Sequence, residues 1–312
     1  MEYSQTEKLI LIDEKVKLKN KLDSLYYGAI EVRNSNNKQY LYVHYRHEGR
    51  QMTKYVGENS EELRQMILQN NNESKQIKKQ LKRVLKELKA QNYVEPTLDS
   101  KVELNIDFAR RSMADSIYKQ SVLEGIATTY ADTETIIEGG NVSNMSSEDV
   151  HKILNMKHAW QFILNRDVIS SPSNYALLSE INKLVIEGFY YNAGKVRGVP
   201  VSIGGTSWTP NIPIESDVKD DIKNLEASEI PIVEKAVEFI LYIMKKQIFI
   251  DGNKRTAVLF ANHLLISHAQ GLIIVPSEKV SEFKDLLIKY YEGTDIKTIK
   301  EFLINYCFYK LG

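Results

Sequence analysis

Six residues in the stretch Gln247-Ile248-Phe249-Ile250-Asp251-Gly252-Asn253-Lys254-Arg255-Thr256-Ala257 carry groups able to do chemistry. Gln247 and Asn253 offer amides, Asp251 a carboxylate, and Lys254 and Arg255 cations, while Gly252 lets a ligand approach the backbone closely. A turn of this composition ahead of a helix exposes backbone N–H groups at the helix's positive end, where an anion is favoured. A carboxylate beside them can hold a divalent cation. The pattern therefore predicts a phosphate and metal cradle at a helix N-terminus. The same composition also suits a plain charged helix–turn–helix connection, because Asp-Gly-Asn is common turn chemistry.

Two apolar segments must position this stretch, Ile232 to Met244 before it and Val258 to Ile266 after it. Both are too long and continuous for surface strands and read as buried helices. From Val102 onward the pattern is almost wholly helical, with helices expected at 103–121, 122–138, 147–165, 173–190, 215–226, 230–247, 254–269, 277–291 and 295–310. The exception is 196–208, where Gly194, Gly198, Pro200, Gly204 and Gly205 surround Val199, Val201 and Ile203, and a short β-hairpin or flap is expected.

Residues 1–92 read as a separate module, with 93–101 around Pro96 as a linker and 102–312 as the second domain. An amphipathic helix over 5–26 ends at Gly28. Strands follow at Ala29–Arg33, Lys38–Arg46 and Gln51–Val56, with turns at Asn34–Asn37 and His47–Gly49. A second helix is expected from Asn59, with Glu62 completing a capping box. Its later half carries Lys75, Lys78, Lys79, Lys82, Arg83, Lys86 and Lys89 around the apolar stripe Ile77, Leu81, Val84 and Leu88. These lysines, beside strands bearing Tyr40, Tyr42, Tyr45 and Tyr55, suit a nucleic-acid partner. A solvated helix face with a small tyrosine core, or a protein-docking module, suits them as well.

The net charge of zero hides an asymmetry: residues 1–92 hold 18 Lys/Arg against 12 Asp/Glu. The remainder is correspondingly acidic, as expected of two modules with different partners. The single cysteine, Cys307, excludes an internal disulfide and fits a reducing compartment. Its apolar neighbours argue for a core thiol rather than a nucleophile. A polar start at Met1 to Lys8, unlike a signal peptide, and the lack of an apolar run of about 18 residues predict a cytoplasmic protein with no membrane partner.

The 247–257 stretch resembles the signature loop of the Fic family, whose pattern runs His-Pro-Phe-x-Asp/Glu-Gly-Asn-Gly/Lys-Arg. Phe249, Asp251, Gly252, Asn253, Lys254 and Arg255 match it position for position, whereas Gln247 stands at the histidine and Ile248 at the proline. Ser121 to Thr129 resembles the family's inhibitory helix, and segments 155–160 and 197–210 also resemble family members. The likeness extends over roughly residues 102–310 and implies a mainly α fold. That fold is a Fic-like helical bundle with a small β-hairpin flap, here preceded by the helix–three-stranded-sheet–helix module.

The same resemblance implies ATP or another nucleotide and Mg²⁺ as cofactors, with transfer of AMP to a hydroxyl of a target protein docked at the flap 199–208. Asp251 would be the magnesium ligand, Gly252, Asn253 and Lys254 the anion hole, and Arg255 the holder of a nucleotide phosphate. Catalysis would fall to Gln247, Asp251 and Lys254, yet an amide takes no proton at neutral pH and only orients a hydroxyl. Glu124 would be regulatory; with Val258 three residues after Arg255, it is expected to lack its usual arginine partner. Two other outcomes are compatible: a catalytically silent binding module, and protein phosphorylation, since Asn-Lys-Arg-Thr-Ala resembles the death-on-curing branch. His158, His263 and His268 read as core or surface histidines rather than replacement bases.

Overall fold

In a computed structural model of the chain, the described residues are 5–47, 50–293 and 296–311. They divide into two compact units, Met1–Val94 and Glu95–Gly312. The first unit runs α1 (Gln5–Ser24), β1 (Ala29–Ser35), β2 (Lys38–His47), β3 (Arg50–Glu58) and α2 (Glu61–Ala90), its strands forming an antiparallel sheet in the order β1-β2-β3. The β1–β2 turn places Asn36 and Asn37 at φ 50° and 58°. A two-residue hairpin turn needs positive φ at both positions, and asparagine tolerates it best among residues with a side chain. Of the turn expected at His47–Gly49, Glu48 and Gly49 lie outside the described residues.

Register then decides which face is buried. Val32 pairs with Leu41 and Tyr42 with Tyr55, which sends Leu41 and Val43 inward onto Ile67 of α2. The cap of α2 is Ser60, whose hydroxyl accepts from the Leu63 N–H at 3.2 Å, one residue later than expected. Asn59 is drawn away to Arg64 and Gln39. On the solvent side of α2, Lys75, Lys79, Lys82, Lys86 and Lys89 are exposed at helical spacing, over about 21 Å of helix. None of the five pairs with a carboxylate among the described residues.

The second unit contains α3 (Ser100–Arg111), α4 (Met113–Glu124), α5 (Tyr130–Ile137), α6 (Ser147–Ile163), α7 (Arg166–Ile169), α8 (Tyr175–Val185) and α9 (Glu215–Ala227). It continues with α10 (Ile232–Lys246), α11 (Asn253–Ser267), β4 (Gly271–Ile273), α12 (Val280–Tyr291), α13 (Ile296–Phe302) and β5 (Phe308–Lys310). Every residue of α11 from Arg255 to Ile266 is buried, the signature of a helix surrounded on all sides. It packs against α10, α8, α6 and α3, and Phe260 meets Phe239 of α10 edge-on with ring centroids 5.0 Å apart. No helix among the described residues is long and apolar enough to cross a membrane.

Four expectations need correction. The helix expected over 103–121 is two helices joined at Ser112, which caps both. The one expected over 122–138 does not exist as such: Gly125, at φ 82°, ends α4, and Thr129 starts α5 by accepting from the Asp132 N–H. The end of the 295–310 helix is instead β5, paired with β4, and Asp295 lies outside the described residues. Finally, 196–208 is a loop without strand pairing. Pro200 has no N–H to give a ladder, and the Val199 carbonyl is taken by the buried Arg197 guanidinium.

Candidate nucleotide-phosphate site

The site begins where α10 ends. Gln247 caps α10 in the left-handed region, at φ 47° and ψ 63°, and Gly252 precedes α11 at φ 74°. At Gly252 a Cβ would lie 2.7 Å from Ile186 Cγ2 and 3.0 Å from Val185 Cγ1. Any other residue there would push the loop off α8, so glycine is required by both conformation and space. Asn253 closes the loop from inside: its amide donates to the Phe249 carbonyl at 2.8 Å and accepts from the Phe249 N–H at 2.9 Å. With Phe249 buried beneath it, the loop has little freedom to open.

A cavity of about 530 Å³ opens over this loop. Gln247, Asp251, Gly252, Asn253 and Lys254 line its floor, and Glu124 reaches it from the end of α4. Val201 to Gly205 of the 196–214 loop form one wall; Lys284, Leu287, Ile288 and Tyr291 of α12 form another. The expected site residues thus converge, with one difference in placement. Arg255 is only 3% exposed and does not line the cavity. It donates to Asp251 at 3.2 Å, with the Val185 carbonyl 3.5 Å away.

Glu124 has no arginine at position 258 to meet, yet it does not stand without cations. Glu124 lies 3.7 Å from Lys254 Nζ and 3.8 Å from Arg255 Nε, neighbours that come from the loop itself. These are charge contacts without hydrogen bonds: Glu124 Oε1 and Arg255 Nε are buried with no hydrogen-bond partner among the described residues. Val258 is 2% exposed, part of the core rather than the site. Gln120, one turn before Glu124, accepts from the Trp160 indole at 3.1 Å.

No histidine lines the cavity. His263 is wholly buried, its pKa pushed down to about 4 by burial, with Ser173 and the Val168 carbonyl as partners. Gln247 is engaged on both sides of its amide, donating to the Met244 carbonyl at 2.6 Å and accepting from Asn253 at 3.1 Å. Tyr291 is buried next to it, and burial raises its phenol above the ordinary range although Gln247 hydrogen-bonds it. Neither Gln247 nor Tyr291 thus offers a base at neutral pH, and the cavity's carboxylates, Asp251 and Glu124, both face cations.

Several positioning residues carry no motif. Arg197, 1% exposed, donates from Nε to the Gln247 carbonyl at 2.6 Å, from Nη1 to Val199 at 2.6 Å and from Nη2 to Asn211 at 2.7 Å. Its own N–H donates to the Ile248 carbonyl at 2.9 Å, so one residue ties the 196–214 loop to the end of α10. Asn182 of α8 donates to the Asp251 carbonyl at 3.0 Å and to Thr256 at 3.1 Å, while accepting from the Gly194 N–H. Trp208 stacks on Tyr291 at 5.3 Å, and Thr206 donates to Glu292 at 2.6 Å, closing the loop over α12. Little in the sequence points to the first two, since the partners that make them matter to the site, Gln247 for Arg197 and Asp251 and Thr256 for Asn182, lie roughly 50 or more residues further along the chain.

Among the described residues no three His, Cys, Asp or Glu side chains gather as a metal site. Of the cavity's two carboxylates, Asp251 and Glu124, Asp251 sits on the loop and suits Mg²⁺, which is commonly held by one or two carboxylates together with substrate phosphates and water.

Comparison with known proteins bears on the same region. A domain of unknown function (DUF6788) matches residues 5–65, and the profile of the Fic/DOC family matches residues 172–265. No curated protein matches the chain. Among solved structures, Fic-1 from C. elegans superposes with a TM-score of 0.56 at 17% identity, over 80% of this chain and 74% of that one. A Fic domain containing signaling protein from Bacteroides thetaiotaomicron gives 0.54 at 19%, over 67% and 85%. A Fic family protein from Desulfovibrio desulfuricans gives 0.54 at 14%, over 68% and 73%. At these identities the likeness establishes the fold. The Fic/DOC profile match spans the helix–loop–helix that builds the site, so the chain carries a Fic/DOC domain over that region.

Proposed function

We propose that the 247–257 loop binds the phosphates of a nucleotide, ATP in the first instance, together with Mg²⁺ on Asp251. The observation that carries this reading is the cavity itself, where the N-terminus of α11, Lys254 and one carboxylate share a floor beneath apolar walls. Bound Mg²⁺ would neutralise phosphate charge. The chain's own part is to present backbone N–H groups and Lys254 to the phosphates, and to hold Asp251 in place through Arg255. The 199–208 loop walls the same cavity, which supports docking of a target protein there.

Transfer of AMP to a target hydroxyl also needs the hydroxyl's proton removed, and the cavity offers no histidine to take it, while its carboxylates Asp251 and Glu124 both face cations. Gln247 orients rather than accepts. The reading favoured is therefore nucleotide binding with weak or no group transfer, in a cytoplasmic setting where ATP and Mg²⁺ are at hand. Calorimetric titration with ATP and Mg²⁺ is expected to show saturable binding that loses its Mg²⁺ dependence in Asp251→Ala. Absence of heat in the wild-type protein would sink the proposal.

For the first unit, the five-lysine stripe of α2, free of carboxylates, supports a nucleic-acid partner over a protein one. Binding to a random DNA duplex is expected to weaken with salt. Neutralising lysines of the stripe to glutamine should flatten the log–log slope by about 0.9 per lysine removed. An unchanged slope, or no binding at low salt, would leave the stripe a solvated helix face.

A further inference from the structure

We infer that Lys284 of α12 is a second phosphate-binding cation of the cavity, making the site selective for ligands with two or more linked phosphates. The inference rests on the phosphate-binding reading of the 247–257 loop and extends it to a residue outside that loop.

The charges around the cavity are unevenly matched. Asp251 is taken by Arg255 at 3.2 Å, and Glu124 faces Lys254 and Arg255 at 3.7 and 3.8 Å. Lys284 lines the same cavity, half-buried, and forms no ion pair or hydrogen bond among the described residues. Other lysines of comparable burial are matched: Lys119 meets Asp115 at 2.7 Å and Lys152 meets Glu148 at 2.6 Å. A cation partly removed from water with no counter-ion is unfavourable unless an anion completes it.

A second observation points the same way. The buried Arg255 Nε has no acceptor among the described residues, leaving positive potential under the start of α11. Three cations, Lys254, Arg255 and Lys284, thus stand against two carboxylates around one helix N-terminus. Lys254 and Lys284 come from different helices and face one space, so a single phosphate on the loop leaves Lys284 unused, whereas a chain of phosphates serves both. In the same cavity, Val201, Ile203, Leu287 and Ile288 offer apolar surface suited to a planar base. A nucleoside di- or triphosphate meets all of these features.

Binding of ATP, ADP and AMP to the full chain tests the assignment. The wild-type protein is expected to bind ATP and ADP about tenfold or more tighter than AMP, as one charge-assisted phosphate contact provides. Lys284→Gln should remove most of that preference while leaving AMP affinity unchanged, and Lys284→Arg should keep it. Lys289→Gln, an exposed position of the same helix outside the cavity, should change none of the three. Equal weakening of all three nucleotides by Lys284→Gln, or none, would overturn the inference. If wild-type protein binds no nucleotide, the nucleotide reading fails by itself, and inorganic tripolyphosphate then decides. Binding lost in Lys284→Gln supports the two-lysine cradle, and no Lys284-dependent binding overturns it.

Discussion

Replacing Gln247 with histidine is expected to raise AMP transfer from ATP to protein hydroxyls by about 10²–10⁴-fold, the usual contribution of a positioned general base. The backbone already suits the change. Residue 247 sits at φ 47°, a region where histidine is enriched among side-chain-bearing residues. Its carbonyl stays held by Arg197, and Asn253 keeps both bonds to Phe249, so the loop does not depend on the Gln247 amide for its shape. What is lost is the bond to Met244 and the acceptor for one Asn253 proton. An imidazole here faces the cavity with a pKa near working pH, which neither a primary amide nor a buried phenol offers. Incorporation of label from α-labelled ATP, measured for wild type, Gln247→His and Gln247→His with Asp251→Ala, checks it. Strong labelling by the wild type, or none by Gln247→His despite ATP binding, would show that proton removal is not the missing step.

Much of this site was legible in the chain because its information is local. Two uninterrupted apolar runs flanking Asp-Gly-Asn-Lys-Arg can hardly be anything but helices meeting at a polar turn. The double asparagine of the first hairpin announced its turn in the same way, and the α2 lysines announced its solvent face. Legibility failed where a pattern continues across a break. Val102 to Leu123 keeps helical spacing straight through Ser112, so one helix was expected where the chain bends into two. At 125–129 the punctuation was present in Gly125 and Thr129, but Val122, Ile126 and Ile136 mimic a single apolar stripe. The 196–208 loop was misread because alternating Val199, Val201 and Ile203 imitate a strand. Pairing depends on a partner, and here the Val199 carbonyl is bonded to Arg197 instead. The β4–β5 pair, three residues each and more than 30 apart, has no sequence signal at all.

Arg197→Met is expected to destabilise the second unit by about 2–4 kcal/mol, lowering its melting temperature by roughly 5–12 °C. A guanidinium buried without a carboxylate is normally costly, and burial here lowers its pKa below the ordinary value. Its compensation comes from backbone carbonyls. Gln247 lies at the C-terminal, negative end of α10, so the bond from Arg197 Nε joins a cation to the helix dipole as well as to a lone pair. Val199 and Asn211 accept from the two other nitrogens, and Pro210 lies 3.4 Å from Nη2. Methionine fills much of the volume but leaves these acceptors buried and unpaired, each costing about 1–3 kcal/mol against the relief of a desolvated charge. Lysine should rescue little, because one ammonium cannot reach three carbonyls fixed in the plane of a fork. The damage should also be local: with its stem released, the 199–211 loop is expected to become cleavable by protease under native conditions, and the cavity wall from Val201 to Gly205 to be lost with it. Thermal unfolding and limited proteolysis of Arg197→Met and Arg197→Lys measure both effects. Unchanged melting with the loop still protected would mean that Trp208 on Tyr291 and Thr206 on Glu292 suffice to hold it, and that Arg197 does not set the geometry of the site.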